Sequence, residues 1–116
     1  MFGTLLGDLR NIAKDIGKFL DEHPLPPPKR KVVTLRDIID YFVKNQPLEL
    51  GRPRGVVIRQ RKGDRILLVQ CFVDAAGEVL TRPDGSLRGR KLLTAALDAE
   101  LAARFAGNDV LIFEEN

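Results

Sequence analysis

A small α+β domain with an amphipathic helix in front of it is what this sequence predicts, and three observations predict it. Phe2, Leu5, Leu9, Ile12, Ile16 and Phe19 recur at three- and four-residue steps. From Gly55 the apolar period shortens to two, and from Lys91 to Ala106 it lengthens again in an Ala- and Leu-rich stretch. The expected architecture is an N-terminal amphipathic helix and a Pro-rich linker, then a domain of order α-β-β-β-α-β. Its sheet is mostly antiparallel, with the helices on one face. The boundaries fall at residues 1–23 for the helix, 24–31 for the linker and 32–116 for the compact domain.

The first stripe is widened by Leu6, Ala13 and Leu20, which is the breadth of a packing face. Its polar face sets Arg10, Lys14 and Lys18 against Asp8, Asp15, Asp21 and Glu22, so an anionic membrane gains little from it. Gly7 and Gly17 each cost roughly 1 kcal/mol relative to Ala, so packing has to hold this helix. Pro24-Leu25-Pro26-Pro27-Pro28 prevents it from continuing. The stretch Pro26 to Val32 is similar to a nuclear localisation signal, and Pro24 to Lys29 to SH3 ligands; a stiff polyproline spacer accounts for the same residues.

The domain opens with Thr34 as N-cap, Asp37 in the first turn and Val33 with Ile38 as a staple. Leu35, Ile38, Ile39, Phe42 and Val43 form the buried face, and Pro47 closes the helix. Val56 to Arg61 pairs with Arg65 to Val73 around a three-residue loop, Lys62-Gly63-Asp64, which sets Arg61 opposite Arg65. Asp74 to Gly77 turns the chain into a short strand, Glu78 to Arg82, ended by Pro83-Asp84-Gly85-Ser86. Leu93, Leu97, Leu101 and Phe105 at four-residue steps extend a helix over Lys91 to Ala106, stopped by Gly107-Asn108. Val110 to Phe113 is an interior strand.

The chain has 116 residues, 44% hydrophobic and 30% charged, which suits one soluble globular domain with an appendage. Its longest apolar run, Ile66-Leu67-Leu68-Val69, is far below the roughly 20 residues of a membrane helix. The charged residues in the first eighteen positions are unlike a secretory signal, and the single Cys71 fits a reducing compartment, so a cytoplasmic location is expected. The net charge of +3 is unevenly spread. Residues 51–91 are strongly basic and residues 92–116 acidic, so the middle of the chain attracts anions or is neutralised by its own C-terminal part.

Two surfaces follow. The stripe Phe2, Leu5, Leu9, Ile12, Ile16 and Phe19 is the expected partner-binding or homo-oligomer face, unless it folds back on its own domain. Arg59, Arg61, Lys62 and Arg65 of the hairpin, with Arg88, Arg90 and Lys91, form the expected anion or nucleic-acid contact. Against the latter stands the scarcity of aromatic platforms, with Phe72 on the apolar side and Tyr41 beside a buried stripe.

Catalysis is a poor match: His23 lies at the linker edge, Ser86 in a turn, and Cys71 among apolar strand residues. Asp74, Glu78 and Asp84 are the residues on which a small metal-dependent enzyme would depend; turns ask for the same residue types. No cofactor and no resident metal are expected. The reading is a non-enzymatic interaction module that self-associates or docks a partner through its N-terminal helix, the basic hairpin serving as second surface. Nucleic-acid binding is the alternative.

Overall fold

The computed structural model describes residues 2–5, 29–51 and 53–115. They form β1 (Phe2–Leu5), β2 (Lys29–Val33), α1 (Leu35–Asn45), β3 (Arg54–Lys62), β4 (Arg65–Val73), β5 (Gly89–Leu97), α2 (Ala99–Phe105) and β6 (Val110–Glu115). A 3-10 turn, Leu48–Leu50, lies between α1 and β3. The strands join one sheet in the order β1-β6-β3-β4-β5-β2. Neighbours are antiparallel except β2 and β5, which are parallel. The chain is therefore α+β with a mostly antiparallel sheet, as its periodicities predict.

α1 forms where its punctuation places it. The Thr34 hydroxyl accepts from the Asp37 amide at 3.1 Å, satisfying one of the free N-terminal donors. Leu35, Ile38 and Phe42 are buried and Ile39 is half-buried, but Val43 is 62% exposed and leaves the expected apolar face. At 100° per residue Val43 stands at the margin of the stripe that the other four define. Phe42 is the hub of the core, its ring 5.4 Å from that of Phe72 and 5.2 Å from that of Phe113. Gly55 makes room for it: a Cβ there would lie 2.6 Å from the Phe42 ring.

The β3–β4 hairpin exists with a tighter turn than expected. Lys62 pairs directly with Arg65, and only Gly63 and Asp64 turn the chain. Gly63 has φ +64° while Asp64 stays at negative φ, the pattern of a two-residue type II′ turn. Arg61 consequently faces Ile66, not Arg65.

The largest correction concerns residues 89–97. The spacing of Leu93, Leu97, Leu101 and Phe105 predicts one helix from Lys91, yet Gly89 to Leu97 is a nine-residue strand and α2 is confined to Ala99–Phe105. β4 offers a full edge of amides and carbonyls, and pairing with it outweighs the helix preference of Leu and Ala, which is only tenths of a kcal/mol per residue. Asp98 marks the switch, its carboxylate accepting the Leu101 amide at 2.8 Å as an N-cap. Ala106 and Gly107, at φ 49° and 82°, end the helix in left-handed conformations. The expected strand Glu78 to Arg82 reduces to isolated bridges, Val73 with Val79 and Thr81 with Leu87.

Two further expectations change near the front of the chain. Phe2–Leu5 is an edge strand paired with Glu115–Ile112, so Phe2 and Leu5 do not belong to a helix. Lys29–Val33, expected to close the spacer and open the domain, is the opposite edge strand, held by parallel pairing to Leu93–Leu97. The rest of the amphipathic helix and Pro24 to Pro28 lie outside the described residues.

The sheet separates two apolar layers. On the first face Val57, Leu68, Phe72, Leu92, Leu111 and Phe113 pack with α1 and α2, so both described helices sit on one face. The second face carries Val56, Ile58, Leu67, Val69, Cys71, Val73 and Ile112, joined by Leu87. Each such side chain removed from water contributes about 1.5–3 kcal/mol.

Candidate functional site

Most arginines on which an anion site was expected are committed inside the molecule. Arg59 donates to Asp109 at 3.4 Å and lies 4.6 Å over the Phe105 ring. Arg88 pairs with Glu49 at 3.2 Å, and Arg54 with Glu114 at 3.4 Å. Arg82 donates to the carbonyls of Leu87 and Gly89. Lys91 also has an interaction partner. A cation already matched to a carboxylate gains little from a second anion, so these positions make a poor ligand surface.

Arg90 is the most deeply committed. Its Nε donates to Gln70 Oε1 at 2.9 Å, its terminal nitrogen approaches the Asp37 carboxylate at 3.6 Å, and its guanidinium lies 4.3 Å over the Tyr41 ring. Gln70, 1% exposed, in turn donates to the Ile38 carbonyl at 2.7 Å. The chain Tyr41–Arg90–Gln70–Ile38 ties α1 to the middle of the sheet and satisfies every polar group it buries there. Burial raises the Tyr41 hydroxyl pKa above its ordinary value, against the opposing pull of Arg82 and Arg90.

A different set of cations remains. Among the described residues, Lys29, Arg30, Lys31, Arg61, Lys62 and Arg65 make no ion pair or side-chain hydrogen bond, and all but the half-buried Arg65 are exposed. The sheet register brings them together. Arg61 is paired to Ile66, Ile66 to Thr94, and Thr94 to Arg30, so Arg61 and Arg30 stand in one cross-strand row. One step along is the Lys62–Arg65 pair, and Lys31 follows Arg30 in the same direction. Three strand spacings, about 14 Å, therefore separate the basic hairpin from the basic edge strand.

Like charges directly opposite, as at Lys62 and Arg65, repel unless an anion lies between them. Two acids, the cap of α2 and one in the turn before β6, are occupied elsewhere. Asp98 accepts the amides of Leu35 and Leu101, and Asp109 holds Arg59. Asp64 lies in the turn itself and makes no ion pair among the described residues.

Lys29 to Lys31 were expected as the charged end of the spacer and not as part of the anion contact. The available signal was the pair Val32-Val33 directly after them, β-branched residues entering a strand.

The other candidates disperse. Asp74 Oδ1 accepts the amides of Ala76 and Glu78, and Asp84 accepts both the amide and the hydroxyl of Ser86. The Ser86 bonds hold the Asp84 pKa below its ordinary value. Each carboxylate thus shapes its own turn, and among the described residues no three His, Cys, Asp or Glu groups gather as metal ligands. Cys71 is fully buried, and burial alone pushes its thiol up to about 12, far from a nucleophile. A cleft of about 510 Å³ between Leu50, Pro53, Arg54, Asp74 and Glu114 is lined by the Arg54–Glu114 pair and the Asp74 turn. Phe2 and Leu5 lie in β1, while Leu9, Ile12, Ile16 and Phe19 are outside the described residues.

No protein-family model, no curated protein and no solved structure matches this chain.

Proposed function

We propose that this protein is a small non-enzymatic binding module that holds a polyanion, the phosphate backbone of a nucleic acid, on the basic end of its sheet. One observation carries the reading: two cationic segments some thirty residues apart in the chain converge through the β2–β5–β4–β3 register while their neighbouring arginines are consumed internally. Phosphate contact needs charge and reach more than shape, and exposed Lys and Arg on a rigid sheet supply both. The scarcity of aromatic side chains on this end favours backbone contact over base stacking.

Fluorescence anisotropy with a labelled duplex oligonucleotide at rising salt tests it. Binding at low salt should weaken with a log–log slope of about 0.9 per phosphate contact, and replacing Arg61 and Lys31 by Ala should lower that slope by about 2. A Kd unchanged by both substitutions, or binding indifferent to salt, overturns the reading. Equal affinity for polyglutamate would make the ligand an acidic protein surface and remove nucleic acid from the proposal.

A further inference from the structure

The basic end of the sheet has a profile as well as a charge. One line of cations is Arg61 and Lys62 on β3 with Arg65 beside them on β4; the other is Lys29, Arg30 and Lys31 on β2. β2 and β3 point the same way, so the two lines run parallel, each about 7 Å long and about 14 Å from the other. At this level β5, between them, presents Thr94, which is buried, and Ala95 and Ala96, which are exposed but uncharged and short. Across the sheet the order is therefore cations, a bare gap, then cations.

On the reading that this end holds a phosphate backbone, we propose that its ligand is double-stranded and that each line takes one of the two strands. A B-form duplex has the matching profile, two phosphate ridges with a groove of about 6 or 12 Å between them. Long lysine and arginine side chains on lines about 14 Å apart reach ridges at a separation of that order, and the alanines leave the groove untouched. The spacing is set by the β2–β5, β5–β4 and β4–β3 ladders, so it exists before any ligand arrives.

A single strand fits this end less well. It supplies one ridge, so it engages one line at a time or crosses the gap without contact. Single-strand binders fill such a stretch with aromatic platforms for the bases. Here Phe42, Phe72, Phe105 and Phe113 are buried in the core, and Tyr41 lies under the Arg90 guanidinium.

The test is the affinity of the full chain, at one low salt concentration, for a short labelled duplex and for one of its strands. Two double variants, R30Q/K31Q and R61Q/K62Q, and their combination are compared with the unaltered chain. All four side chains are exposed and make no ion pair or side-chain hydrogen bond among the described residues, so the fold should persist with an unchanged thermal midpoint. On the duplex each pair should raise Kd about tenfold and the two losses should multiply, because both lines are engaged at once. On the single strand either pair alone should cost no more than about twofold, since the other line still serves. Lys44→Gln, which removes an exposed cation from the last turn of α1, should change neither affinity. The proposal is overturned if either pair leaves duplex binding intact, or if the single strand binds as tightly as the duplex with the same multiplying losses. In both cases phosphate binding persists and the broader reading stands. A K44Q loss as large as that of either pair would also overturn it, and absence of binding to both forms would remove the broader reading as well.

Discussion

Gln70 and Cys71 are neighbours on β4, almost equally shielded, and face opposite ways into two different kinds of interior. Gln70 enters a layer that contains Arg90, Tyr41 and the Ile38 carbonyl, with each hydrogen bond made. Cys71 enters a layer of Val, Ile and Leu side chains. The difference shows that polarity is tolerated in the first layer because α1 brings matching groups to it, and that burial alone says little about what a position accepts.

Substitutions can break or sharpen this contrast. The largest effect is expected from Phe42→Ala, which empties the centre of the first layer, at about 3–5 kcal/mol in urea unfolding. A loss below about 1 kcal/mol would mean that the aromatic cluster is not the hub. Next comes Gln70→Leu: although apolar, it strands Arg90 Nε and removes the side-chain bond that the Ile38 carbonyl accepts in addition to its helical one, at about 1–3 kcal/mol. Cys71→Ser reverses the chemistry one residue on. It places a hydroxyl in the apolar layer, at about 1–2 kcal/mol, and a neutral result would show that this layer contains polar partners after all.

The smallest expected effect is a pH effect at Tyr41. A phenol whose folded pKa is raised keeps its proton more firmly in the folded state, so its contribution is complete below about 10, the ordinary tyrosine value, and fades as pH climbs through the higher folded value. Ultraviolet titration should find this tyrosine ionising later in the native protein than in urea. An ionisation at the ordinary value would mean that Arg82 and Arg90 cancel the burial.

The two kinds of layer were not equally legible in the sequence. The bounds of α1 were readable, because Thr34 and Asp37 act through a local bond and Pro47 cannot continue a helix, although Val43 was wrongly placed on its buried face. The β3–β4 hairpin was readable except for its loop length, where a single residue decides whether Arg61 or Lys62 faces Arg65. β5 was misread because Leu93, Leu97, Leu101 and Phe105 satisfy a helical period whether or not a strand edge waits for them. Asp98 contained the correction, as a cap in the middle of the supposed helix. The basic residues were visible one by one. Their convergence was not, since it depends on β2 pairing with a strand some sixty residues later.

That pairing also orders events during synthesis. Both rims of the sheet, β1 and β2, emerge from the ribosome before any of the strands they zip against, and β1 has to wait for residues 112–115. Contacts between such distant stretches are slow to form, and a nascent chain holding two unpaired rims is exposed to misassociation in the meantime. The run of Lys29, Arg30 and Lys31 on one of those rims is the kind of charge that keeps a bare strand from joining its neighbours on other ribosomes.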